Sequence, residues 1–179
     1  YYKILDSDDW VDSKNLKKLV EYLASMNIDM VLNPYVEVAY DDHTKTKIYN
    51  PVNNDNYYKG EKLSLDRLTP DIALYMHSLT FRTEVIKQMR SIIDENCFYV
   101  DMEYCVFPLL YVNNFAYQSY PVYQYLLGSQ SQSMNKQNLI MRRGQHLKVT
   151  KRLVKFYATY SEKVDAHIRA VMALRIKYA

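Results

Sequence analysis

Glycine and proline are scarce in this 179-residue chain, at three and five residues. That excludes collagen-like, linker-rich and low-complexity polypeptides. Cysteine is nearly absent. Cys97 and Cys105 both sit in apolar surroundings. Two cysteines are too few for a disulfide framework, and they read as free thiols of a reducing compartment. No apolar run approaches the ~18 residues of a membrane-spanning helix. The opening residues lack the charged-then-apolar layout of a secretion signal. Excess charge is also lacking: a net +3 is too mild to imply a nucleic-acid partner, so none is expected. What is present is a globular composition, 49% hydrophobic and 24% charged, in a chain long enough for one real core. The 19 tyrosines suit either half-buried strands or a wet ligand groove. The chain opens without methionine inside a strand-like run, and we expect a fragment of a longer protein.

Periodicity orders the elements. Leu16, Leu19, Val20 and Leu23 recur at helical spacing and predict a helix over 13–26. Ile28, Met30 and Leu32 alternate, as do Val36, Val38 and Tyr40, which predicts two strands broken at Asn33-Pro34. Residues 46–49 return as a hairpin arm, and 50–63 read as a surface loop. The stretch 74–81 fits strand or helix, and 82–90 a helix. Residues 97–100 read as a short apolar strand, 102–111 as a helix bent by Pro108, and 115–117 and 122–127 as strands. From about residue 135 onward the pattern is helical, with Gly144 a candidate break between two helices.

Two acidic segments carry the candidate chemistry. In Ile4-Leu5-Asp6-Ser7-Asp8-Asp9-Trp10 a short apolar run, read as a buried strand, opens into three carboxylates. Asp6 and Asp8 are hard oxygen ligands suited to Mg²⁺ or Mn²⁺ beside phosphates. Asp8, Asp9, Asp12 and Ser13 also precede a helix, where such side chains cap free backbone N–H groups. The second segment is Asp101-Met102-Glu103, after Phe98-Tyr99-Val100. Asp101 reads as a general base or as a helix cap. Were both strands parallel in one sheet, their acidic ends would share an edge, where open α/β sheets place ligands.

At these residues the chain resembles glycosyltransferase family 2, the inverting GT-A enzymes. Residues 4–12 are similar to the family's DxD segment. Ser78 to Ile86 resembles its Phe-Arg segment, and Tyr99 to Tyr104 its acidic catalytic segment, although Val100 stands where Glu is frequent. Val122 to Gly128 with Gln132-Ser133 resembles its late strand and following loop. The resemblance implies an α/β fold, a partial GT-A sheet with flanking helices. Residues 1–135 would form the acceptor-side half of the catalytic domain, with the nucleoside-binding half upstream and absent, and 136–179 a helical tail. It implies donor binding by Asp6, Asp8, Asp9, Gln132 and Ser133. A divalent metal, Mn²⁺ or Mg²⁺, would sit on Asp8 and Asp6. Asp101 would be the base, with Glu103 as its substitute. The partners implied are a nucleotide-sugar donor and a saccharide or lipid-linked acceptor. With Trp10 the sole tryptophan, the Gln-x-x-Arg-Trp motif of processive synthases is excluded, so one sugar per transfer is expected.

The tail has its own pattern. Arg142, Arg143, Lys148, Lys151, Arg152 and Lys155 interleave with Leu147, Leu153, Val154 and Tyr157, without an acid from 142 to 161. A basic amphipathic helix of this kind reads either as a packing helix with a solvated face or as a peripheral membrane contact through 142–157. The expected location is the cytoplasm, including the inner face of the plasma membrane. The competing functional class is a non-catalytic α/β interaction domain with capping carboxylates and a basic docking helix.

Overall fold

A computed structural model describes residues 1–52, 59–90, 93–128 and 136–178. Gln132 and Ser133 lie outside the described residues. The architecture is mixed α/β, with two small mixed sheets and five α-helices among the described residues. The strands are β1 (Trp10–Val11), β2 (Met30–Leu32), β3 (Tyr35–Ala39), β4 (Lys45–Tyr49), β5 (Leu63–Ser64), β6 (Leu79–Phe81), β7 (Asn114–Tyr117) and β8 (Tyr123–Leu127). The helices are α1 (Ser13–Ser25), α2 (Thr83–Gln88), α3 (Asp101–Val106), α4 (Lys136–Tyr160) and α5 (Ala166–Lys177). Short 3₁₀ turns at Leu65–Arg67, Met76–Ser78, Phe107–Leu110 and Ser161–Lys163 link them. Pro108 lies in the third of these, where the α3 helix tightens and stops.

One sheet runs β5-β7-β2-β6 and the other β1-β8-β3-β4. Each has a parallel pair at its centre, β2 with β7 and β3 with β8, flanked by antiparallel edges. The first sheet is covered on both faces. Met30, Leu32, Leu79, Phe81, Phe115 and Tyr117 turn toward α3, α4 and α5, where Tyr104, Phe107, Leu153 and Met172 complete the main core. Val31 and Ala116 point the other way, onto Leu19 and Leu23 of α1. This is the period-two alternation of a strand. In the second sheet the same alternation sets Tyr35, Tyr123 and Tyr125 on one face, with Tyr49 opposite Tyr35.

Three expectations are corrected. Ile4-Leu5 is not a buried strand: Tyr2 alone bridges, to Phe81, and Leu5 is 48% exposed. Adjacent apolar residues on an extended chain face opposite ways, and of the two Ile4 packs on the core. Residues 98–100 form a turn, because Asn96 and Tyr99 adopt φ of 53° and 69°. Gly144 does not interrupt α4, which runs unbroken from 136 to 160. Burial of Val149, Leu153 and Phe156 outweighs the ~0.5–1 kcal/mol that glycine costs a helix. The chain turns at Ser161–Lys163 instead, where Asp165 caps α5 by accepting from the His167 and Ile168 N–H groups. Cys97 and Cys105 are free thiols. Among the described residues no helix is long and apolar enough to cross a membrane.

Candidate functional site

The N-terminal segment is fastened along the β6 edge of the first sheet. Tyr2 exchanges both backbone hydrogen bonds with Phe81, at 2.7 and 2.9 Å. Lys3 Nζ donates to the carbonyls of His77 (2.8 Å) and Leu79 (3.0 Å). Burial lowers the Lys3 pKa to about 7. These anchors carry the acidic turn over the second sheet, where Tyr123 catches it. The Tyr123 hydroxyl accepts from the Asp6 N–H (3.1 Å) and donates to Asp9 Oδ2 (2.6 Å). The Leu126 N–H donates to Asp9 Oδ1 (2.8 Å), and the Asp9 N–H closes the turn on the Asp6 carbonyl (3.2 Å).

The capping alternative is resolved at the neighbouring residue. The cap of α1 is Asp12, which accepts from the Asn15 N–H at 2.9 Å. Asp6, Asp8 and Asp9 are therefore not needed to start the helix. Their concentration has an electrostatic cost. Burial pushes Asp9 up to about 6, against the Tyr123 and Leu126 hydrogen bonds, with Asp8 and Asp6 adding to the rise. Burial also raises Asp6, and the charges of Asp8 and Asp101 raise it further. Tyr125 is pushed up to about 12, first by burial and then by Asp9, Asp6 and Asp8.

Asp6 and Asp9 meet a residue that sequence reasoning missed, His77. One ligand atom from each of the three lies within 4.8 Å of the others. His77 is wedged among Tyr35, Tyr123 and Tyr125, with ring centroids 4.9, 4.8 and 4.4 Å away. Burial, then the Lys3 charge, lower its pKa to about 4, so the imidazole is neutral. Its Nδ1 is buried without a hydrogen-bond partner among the described residues. The signal in the sequence was slight: His77 stands one residue ahead of the segment beginning at Ser78. Asp8 is exposed on the turn and is not one of the three clustered groups.

The donor set fits a divalent cation. Carboxylates and a neutral imidazole together suit Mn²⁺, and carboxylates alone suit Mg²⁺.

Asp101 occupies the first turn of α3 rather than its cap, which is Val100. Burial raises its pKa, opposed first by Arg175 and then by the N–H groups of Asp101 and Met102 and by His146. Its charge reaches Asp6. The two acidic segments do not share a sheet edge: one lies in a turn and the other at a helix start. Glu103, two residues further, points elsewhere. It is fully buried, accepts from the Asp94 N–H (2.8 Å), and pairs with Arg152 at 3.1 Å. Its carboxylate is committed to joining α3 to α4.

Helix α4 holds the loop before Asp101 from one side. Arg142 lies 3.5 Å over the Phe98 ring, and Gln145 Oε1 accepts from the Phe98 N–H (2.7 Å). His146 packs edge-on against Tyr99, and Lys148 and Arg152 both pair with Asp94. Comparison with protein-family models and with curated proteins returned no match.

Proposed function

We propose that the protein transfers a sugar from a nucleotide-sugar to a saccharide or lipid-linked acceptor, with inversion, as part of a GT-A-type catalytic domain. The observation that carries this reading is the Asp6–Asp9–His77 donor group, on whose Asp6 the charge of Asp101 also acts. Asp6, Asp9 and His77 would hold a divalent cation, which supplies charge neutralisation for a leaving diphosphate. Asp8, exposed on the same turn, is the rim carboxylate facing incoming donor. Asp101 accepts the proton of the acceptor hydroxyl. Burial suits it to this, since a carboxylate with raised proton affinity is a stronger base. Attack from the face opposite the leaving group inverts the anomeric centre. Tyr123 and Lys3 position the carboxylates and take no part in bond making.

The reading assigns nucleoside binding to a preceding half-domain, so the assay uses the full-length protein with a panel of nucleotide-sugars and Mn²⁺. Asp101→Asn and Asp6→Asn are expected to abolish transfer while leaving the fold intact by circular dichroism. Transfer that survives Asp8→Asn and Asp101→Asn together overturns the assignment.

A further inference from the structure

The inner face of α4 is fully used, by Val149, Leu153 and Phe156 in the core and by the contacts to residues 94–103. The outer face is another matter. Ile140 (53% exposed), Leu147 (53%) and Val154 (52%) recur every seven residues on one stripe, with Met141 (70%) at its edge. Gly144 lies in the same stripe with nothing within 4 Å. Scattered exposed apolar residues are ordinary, but an aligned row of them on one helix is not. Exposed Arg143 and Lys155 flank the row, and exposed Lys151 stands in it between Leu147 and Val154. From Tyr104 to Ser161 the sequence holds no aspartate or glutamate.

We infer that the outer face of α4 docks on an anionic lipid bilayer, with Ile140, Leu147 and Val154 in the acyl boundary and Arg143, Lys151 and Lys155 at the headgroups. Charge decides the occupant. A second copy of the chain packed stripe to stripe would set these cations against their own counterparts. A phosphate-bearing bilayer pairs them and takes up the aliphatic row as well. The inference is independent of the transferase reading. If both hold, α4 links the bilayer to the loop before Asp101, because its inner face grips Phe98, Tyr99 and Asp94.

Vesicle flotation tests it, with phosphatidylcholine alone and with added phosphatidylglycerol. The protein is expected to float with the anionic vesicles, and less so as salt rises. The variant Arg143→Glu/Lys151→Glu/Lys155→Glu is expected to lose at least roughly a hundredfold in partitioning, about fivefold for each cation removed. A control with the same charge change elsewhere on the surface, Lys14→Glu/Lys45→Glu/Lys62→Glu, should bind far more strongly than that variant. Leu147→Ser/Val154→Ser should leave binding that salt abolishes. Equal flotation with neutral vesicles, equal loss in the control, or a concentration-dependent dimer broken by Leu147→Ser would each overturn the proposal.

Discussion

Asp9→Asn should make the protein more stable at neutral pH. Asp9 moves from an ordinary 3.8 to about 6 in the folded chain. The folded state therefore holds the Asp9 proton more tightly than the unfolded state does. The charged form is disfavoured by folding, so stability falls as pH rises from about 4 to about 6 and stays lowered above that. The shift sets a ceiling of about 3 kcal/mol. Asp9 is partly open to water, and screening reduces the figure to about 1–2 kcal/mol. An asparagine keeps the hydrogen bonds in kind: its Oδ1 accepts from the Leu126 N–H, and its Nδ2 donates to a Tyr123 hydroxyl that reverses role. Urea denaturation at pH 7.5 should show the gain of about 1–2 kcal/mol, and at pH 4.5 it should shrink to about a third of that. On the proposed cation site, saturating Mn²⁺ would stabilise the parent by about 2.7 kcal/mol at a hundredfold excess over Kd, and the same variant should lose that gain. A variant destabilised equally at both pH values would refute the reasoning, because the carboxylate would then be a structural hydrogen-bond acceptor and nothing more.

Other outcomes follow from the same contacts. Arg152→Met leaves Glu103 charged and buried without its partner, and should cost about 3–5 kcal/mol in urea denaturation. Leu153→Ala opens the main core under α4 and should cost about 2–5 kcal/mol. Lys3→Ala removes the two hydrogen bonds that hold the N-terminal segment on His77 and Leu79, so on the proposed cation site Mn²⁺ affinity measured by calorimetry should fall although no proposed ligand is changed. Tyr123→Phe frees the Asp6 N–H and Asp9 Oδ2; because Tyr123 lowers the Asp9 pKa, NMR titration should find it above its parent value.

The sequence was most informative where one periodicity ruled a whole segment. Helix α1, the strands on either side of Asn33-Pro34, the hairpin arm at β4 and the late strand β8 all follow from it. Its failures share a cause. Ile4-Leu5 and Phe98-Tyr99-Val100 are apolar runs too short to show a period, and the contacts that fix them or their neighbours come from groups distant in sequence. Asp12 and Ser13 offered equal capping chemistry, and the φ and ψ at Asp12 decided between them. His77 was hidden because its burial depends on three tyrosines from two strands. Glu103 looked like a second acid of the site. Nothing in its local sequence announces the arginine waiting on α4.

The passage between the sheets has a consequence for how this chain tolerates change. Residues 33–34 carry β2 into β3, and 118–122 carry β7 into β8, so one parallel pair leaves the first sheet and re-forms in the second. The bend is stitched by Gln118 N–H to the Leu32 carbonyl and Val122 N–H to the Pro34 carbonyl, at 2.9 and 3.3 Å. A single residue inserted between Gln118 and Val122 would slip β8 by one place along β3 and rotate Tyr123 and Tyr125 to the far side. The acidic turn would lose its catch while β7 and the main core stayed whole. Lineages of this fold should therefore vary freely in the loops around 41–44 and keep the length of this corner fixed.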